Sequence, residues 1–213
     1  MSLIRLSSLL VLLSSFGGVA QANSDVFSGF EITPLVGYRF GGDFETSQDG
    51  ASINPPINIK LSEDVSYGLL LAWDVDSKRQ GEFLINHNKS QFSQEVDSLF
   101  NNNNLSVTYV HIGGNVPISD GYVPFYVTGG LGLTHLAPED SMLDDETRFS
   151  MSVGLTAKVA VSENLSFRFG GRAYATFFNS DSTIFCNSDV CAISITSDLW
   201  IQSEVNAGIT FTF

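Results

Sequence analysis

Five stretches of this 213-residue chain carry apolar side chains at every second position. That period suits a β-strand with two unlike faces and does not suit a helix. In Phe30–Phe40 the apolar set is Phe30, Ile32, Pro34, Val36, Tyr38 and Phe40, set against Glu31, Thr33, Leu35, Gly37 and Arg39. Val65–Asp74 places Val65, Tyr67, Leu69, Leu71 and Trp73 opposite Ser66, Gly68, Leu70, Ala72 and Asp74. Phe149–Val159, Leu165–Phe177 and Leu199–Phe213 repeat the pattern, with Lys158, Arg168, Arg172 and Glu204 on the face away from the large apolar residues. Three weaker strips bring the count to eight: Gln80–Asn88, with Glu82 opposite Phe83 and Ile85; Leu105–Val116; and Val123–Leu136. In Leu105–Val116 the residues Leu105, Val107 and Tyr109 share one face before Val110 and Ile112 take up the other. That switch reads as a register change or bulge.

The connections alternate in length. Long ones run through Gly42–Asp64, Lys89–Asn104, Ala137–Glu146 and Asn179–Thr196, and short ones through Val75–Arg79, Pro117–Tyr122 and Ser162–Asn164. An antiparallel meander gives this order when both chain ends lie on the short-turn side, the plan of outer-membrane barrels. In a soluble sandwich or lipocalin-like barrel the apolar face would point inward and charge would cover the outside. Here the second face is small and polar, with Glu31, Arg39, Asp74, Glu82, Lys158, Arg168, Arg172 and Glu204 distributed along it. That is too charged for a protein core and too sparsely charged for a water-exposed skin. It suits the inside of a narrow barrel, with paired charges in the lumen and the apolar band facing lipid. No backbone group can be left unbonded in hydrocarbon, so the sheet must close. The expected fold is all-β, an eight-stranded antiparallel up-and-down transmembrane β-barrel.

Residues 1–22 read as a cleaved signal peptide: a basic start from Met1 to Arg5, an apolar run from Leu6 to Phe16, and Ala20-Gln21-Ala22 before the cut. The apolar run falls short of the about 20 residues that a membrane-spanning helix needs. Residues 23–213 then form the barrel domain, with its termini periplasmic and its long loops extracellular. With 10 Lys and Arg against 23 Asp and Glu, the net charge of −13 excludes a nucleic-acid partner that is bound through clustered cations.

The strips GFEITPLVGYRFGG, YVPFYVTGGLGLTHL, NLSFRFGGRAYATFF and SEVNAGITFTF resemble the outer-membrane-protein β-barrel domain family, the small eight-stranded barrels of the OmpA, OmpX and OmpW type. The resemblance covers essentially the whole of residues 23–213. The ending Ile209, Phe211, Phe213 resembles the C-terminal signal read by the barrel-assembly machinery, which would then be a partner in biogenesis. Membership implies a location more than an activity, because the family's roles vary. Pro34 departs from a regular strand, having no N–H for the ladder, and is expected at the short-turn rim or at a bulge.

Few residues carry chemistry. Cys186 and Cys191, the only cysteines, lie in the last long connection, where an exported chain favours a disulfide closing a tight loop. His87, His111 and His135 lie on separate strips without metal or triad spacing, so no catalytic residue, metal or cofactor is expected. Lipid A deacylases, barrels of similar size, use a His with a Ser two residues on. Here His87, His111 and His135 are followed by Asn88-Lys89, Ile112-Gly113 and Leu136-Ala137. Gly129-Gly130-Leu131-Gly132 sits within a strand, with no helix after it, and reads as room for bulky interior neighbours rather than a phosphate loop. The long connections are acidic, which serves solubility. A sharper reading has Asp144, Asp145 and Glu146 share divalent cations with lipopolysaccharide phosphates at the rim. The function expected is non-enzymatic, structural or surface-interacting, in a monomer among outer-membrane lipid and lipopolysaccharide. A small pore or hydrophobic-ligand conduit ranks second, and a lipid A-modifying enzyme third.

Overall fold

The computed structural model describes residues 29–46, 57–92, 104–119, 121, 123–139, 144–178, 182–186, 191–195 and 199–213. The signal peptide expected over residues 1–22 lies outside them. The strands, in chain order, are β1 (Phe30–Gly41), β2 (Phe44–Thr46), β3 (Ile57–Ile59), β4 (Asp64–Asp74), β5 (Gln80–Gln91), β6 (Asn104–Ser119), β7 (Phe125–Pro138), β8 (Glu146–Ser162), β9 (Leu165–Phe177), β10 (Ser182–Cys186), β11 (Cys191–Ile195) and β12 (Leu199–Thr212). Eight of them close into an antiparallel barrel in the order β1-β12-β9-β8-β7-β6-β5-β4. The seam is β1 on β12, with Ile32 opposite Phe211, Tyr38 opposite Val205 and Arg39 opposite Glu204. Beyond β12 the chain end stays bonded: Phe213 N donates to Phe30 O at 3.0 Å, and Gly29 N to Phe213 O at 3.2 Å.

Alternation decides which way each side chain points. Val36, Tyr67, Ile112, Leu131, Val153, Leu155, Phe169, Ile201 and Val205 are exposed on the outside, and their neighbours Arg39, Ser66, His111, Ser152, Thr156, Arg168, Gln202 and Glu204 are buried inside. So large an apolar surface has no place in water and is the band a bilayer requires. Ile209, Phe211 and Phe213 belong to this outer face.

Two local expectations change. β6 has no break at Tyr109–Val110: Leu105, Val107, Tyr109, His111 and Asn115 are all buried, while Val110, Ile112 and Val116 are exposed. The apparent switch arises because the interior itself turns apolar toward the long-loop end. The irregularities lie elsewhere, between Pro117 and Ser119 and between Ala160 and Ser162, beside the short turns. Pro34 lies well inside β1, paired with Leu69 of β4, and the β1–β12 pairing skips Thr33 and Pro34 without changing register. Beside the gap the hydroxyls of Thr33 and Thr210 bond to each other at 2.8 Å, a side-chain link between β1 and β12.

The long connections also hold structure that their composition does not announce. β2, β3, β10 and β11 form a second sheet in the order β10-β11-β2-β3. Strands of three to five residues are too short for a period of two to show. At the other end, the turn after β4 is tight. Asp76 Oδ1 accepts from the amides of Lys78 at 2.9 Å and Arg79 at 2.8 Å. The Lys78 amide foremost, then the Arg79 side chain and amide, hold the Asp76 carboxyl down to about 2.

Gly113 and Gly132 let β6 and β7 approach. A Cβ at Gly132 would collide with the Val110 carbonyl and the edge of His111, and one at Gly113 with the Gly129 carbonyl. A closed barrel resists detergent until heated, so boiled and unboiled samples should migrate differently on a gel. Gly132→Leu should sharply reduce the heat-modifiable form, whereas Gly129→Ala, whose added Cβ would meet nothing nearer than the Ser152 carbonyl at 3.6 Å, should leave it intact.

Candidate functional site: the filled lumen

An eight-stranded barrel is just wide enough inside for side chains to fill it. Near the short turns, Lys158 on β8 reaches Glu31 on β1, with Nζ to Oε2 at 2.7 Å. Gln80 ties the pair together, accepting from Lys158 Nζ at 2.8 Å and donating to Glu31 Oε1 at 3.1 Å.

Deeper in, Glu82 of β5 takes two guanidinium groups from β9. Arg168 Nη2 lies 2.7 Å from Oε1, and Arg172 Nη2 lies 3.0 Å from Oε2. Three strands lie between β5 and β9 whichever way the barrel is counted, so these bridges span its full width. Asn115 Nδ2 adds a third donor to Glu82 at 2.9 Å. A carboxylate shared between two cations and an amide is well compensated, and burial at 2% exposure is tolerable only on that condition.

The third group centres on Arg39 and Glu204, each 1% exposed. Arg39 Nη2 meets Glu204 Oε2 at 2.8 Å. Nη1 donates to Asn88 Oδ1 at 2.6 Å, and Nη2 donates also to Asn86 Oδ1. Glu204 is further satisfied by Ser66 at 2.9 Å, Asn86 at 3.1 Å and Asn206 at 3.0 Å. The guanidinium lies 4.8 Å from the ring centre of Tyr109 and 5.1 Å from that of Tyr174. Those two rings stack at 4.1 Å, and Tyr109 Oη donates to Gln202 Oε1 at 3.0 Å on the opposite wall. Cation–π contact favours a guanidinium that has been drawn away from water.

Beyond the tyrosines the large lumen side chains are apolar, with the small polar Ser90 and Thr176 also buried at that end. Leu105, Val107, Leu136, Phe178 and Trp200 cluster there with Leu61 and Phe92. Trp200 Nε1 is satisfied by the Gly42 carbonyl at 2.7 Å.

Seven of the eight charges singled out in the sequence therefore meet inside the barrel. Asp74 does not. It is exposed at the short-turn rim, where its side chain accepts from Gln80 Nε2 at 3.1 Å and from no other side chain among the described residues. The period of two places it on the inner face, but it is the last residue of β4, where the wall ends.

No sequence pattern announces the cluster around His111. Its Nδ1 lies 2.9 Å from Ser152 Oγ and its Nε2 lies 2.8 Å from Ser150 Oγ. The serines come from β8, so no local motif could reveal them. Gly130 and Gly132 leave the space that His111 fills, in keeping with the role read for that glycine run. Both ring nitrogens are occupied and the ring is buried, so the arrangement orders side chains and offers no open nucleophile.

His87 and His135 lie apart, on Thr108 and Thr147 respectively. Among the described residues no three His, Cys, Asp or Glu side chains converge as a metal site. Asp145 lies 3.7 Å from His135 Nε2, and Glu146 pairs with Arg148 at 3.1 Å. Cys186 and Cys191 are register partners across β10 and β11, their side chains lying outside the described ones.

Removing one partner from a buried pair leaves a stranded charge. Glu82→Ala strands two, and should cost about 3–5 kcal/mol of stability in refolded protein. Arg79→Ala, which breaks the exposed bridge to Asp76, should cost nothing measurable. Denaturant titration of both variants checks the contrast.

The family model described as outer membrane protein beta-barrel domain matches residues 8–213. No curated protein matches the sequence. Among solved structures, Neisserial surface protein A (NspA) is similar at a TM-score of 0.57 and 11% identity, covering 87% of this chain and 98% of that one. The outer membrane protein OprG from Pseudomonas aeruginosa gives 0.58 and 10%, covering 87% and 96%. The outer membrane protein AlkL, solved in lipid bilayers, gives 0.56 and 12%, covering 91% and 94%. At such identities the likeness is one of fold, and it carries no ligand or activity across. The family match, the closed eight-stranded wall and the apolar outer band agree: the chain belongs to the outer membrane protein β-barrel domain family and is a protein of the outer membrane.

Proposed function

We propose that this protein is a non-enzymatic structural or surface-interacting barrel whose lumen does not conduct. The observation that carries the reading is the pair of bridges from Arg168 and Arg172 to Glu82, which cross the full width of the interior between β9 and β5. With Lys158–Glu31 below them and Arg39–Glu204 above, side chains occupy the axis where a pore would hold water. The stacked tyrosines and the apolar cluster beyond them fill the rest. The non-enzymatic part rests on the burial of His111, Ser150 and Ser152, which no substrate reaches without unpacking the interior.

In this reading the chain is exported by a signal peptide cut after Ala22. Both termini and the short turns then face the periplasm, and the long connections with their small sheet face outward. The protein works as a monomer within lipid and lipopolysaccharide, without nucleic acid. Asp144 and Asp145, exposed at the long-loop rim, suit shared divalent cations at lipopolysaccharide phosphates. The facing positions of Cys186 and Cys191 support a disulfide that ties β10 to β11 in the oxidising compartment.

The buried apolar cluster of Leu105, Val107, Leu136, Phe178 and Trp200 favours a second reading, a conduit for a hydrophobic ligand entering from the long-loop end. Conductance addresses the first. Refolded wild-type protein in a planar bilayer should show no large, stable current steps, and such steps would replace the plugged reading with a pore. Arg172→Ala and Glu204→Ala should each lower stability, and the loss of cross-lumen packing should open a small leak.

Phe213 gives a separate test. Its ring lies on the outer face and its backbone closes onto β1, so a role as assembly signal predicts a defect in biogenesis and not in any activity. Phe213→Ser should reduce the folded barrel in outer membranes while the same protein refolds in detergent. Wild-type levels in membranes would remove the assembly role.

A further inference from the structure

We propose that the lumen holds one small monovalent anion of the halide class, in the cavity beside Arg168 and Arg172. The bridges inside the barrel do not balance. Lys158 with Glu31 is neutral, and so is Arg39 with Glu204, but Arg168 and Arg172 share the single carboxylate of Glu82. Four buried cations therefore face three buried carboxylates.

Among the described residues no neighbouring acid makes up the difference. Asp74, the fourth acid on the inner face, sits exposed at the rim on Gln80. Glu204 stands opposite Arg172 in the β9–β12 register, yet its oxygens are engaged by Arg39, Ser66, Asn86 and Asn206. Glu146 is paired with Arg148 at the long-loop rim. The remaining contacts of the two arginines are the hydroxyls of Thr156 and Ser152, and His111 beyond Ser152 adds no negative charge.

Two further observations locate the missing charge. Arg168 is 2% exposed, and its Nη1 has no hydrogen-bond partner among the described residues. Arg168 and Arg172 both line a cavity of about 10 Å³, closed by Thr156, Asn206, Leu70 and Leu84. The space suits a single atom or a water molecule and is too small for phosphate, sulfate or a carboxylic acid. Water would satisfy Nη1 but leave the excess charge in a medium of low dielectric, where an unpaired charge is costly. A halide ion answers both needs.

The test compares thermal unfolding of refolded protein in detergent in sodium chloride, sodium bromide and sodium gluconate at equal ionic strength. Gluconate cannot enter the cavity, and its exclusion from the protein surface raises the midpoint in gluconate itself, so a higher midpoint in halide cannot come from that exclusion. The midpoint should be higher by about 3 °C in either halide, saturating with concentration. Thr156→Asp sets a carboxylate beside Arg168, whose Nη2 lies 3.4 Å from Thr156 Oγ1, and should abolish the difference between salts. Equal wild-type midpoints in all three salts would overturn the proposal. Crystals grown in bromide give a second measure that does not depend on the variant folding. An anomalous peak between the two guanidinium groups is expected, and a cavity without one overturns the assignment.

Discussion

Hydrocarbon offers a peptide group no hydrogen-bond partner, so a strand that crosses it must be bonded on both edges. The seam between β1 and β12 meets that demand, and the other features follow from it. Closure with eight strands sets the circumference, and the circumference leaves an interior that side chains fill. Because alternate residues must then point into this narrow space, each strand presents lipid-soluble groups outward and something compact inward. Pro34 interrupts that seam without shifting its register, and beside it the hydroxyls of Thr33 and Thr210 link the two strands.

What fills the interior changes along the axis. At the short-turn end and the middle, charged and amide side chains cross from wall to wall, and toward the long loops leucine, phenylalanine and tryptophan take over. Tyr109 and Tyr174 form the junction, since a phenol has an apolar face for the cluster above and a π-face for Arg39 below. An interior of buried ions gains little stability over an apolar one, because desolvation offsets most of the attraction. It does gain specificity, as Arg168 and Arg172 find their carboxylate only when β5 and β9 stand on opposite walls.

The eight barrel strands were legible from the sequence to within about three residues at each end, and so was the side each faces, except in β6. A period of two is a local property, and lipid on one side with a filled lumen on the other makes the two faces chemically unlike. Where both faces turn apolar, as at Leu105–Ile112, the pattern loses its contrast and a false break appears. The little sheet of β2, β3, β10 and β11 escaped notice for a related reason, since strands so short carry too few residues to alternate.

The class of fold, the outward band and the entry of seven of the eight inner-face charges into the lumen follow from the order of residues alone, because a period of two depends only on neighbours along the chain. Which charge meets which was decided by the tertiary structure. Arg172 lies opposite Glu204 in register yet binds Glu82 on the far wall, and Asp74 drops out because the wall ends there. The His111 cluster, the stacked tyrosines and the excess positive charge at Arg168 and Arg172 arise in the same way. Closing the sheet brings strands together that are distant in the chain, and the distances across a lumen are set by barrel width and strand stagger, which no local period encodes.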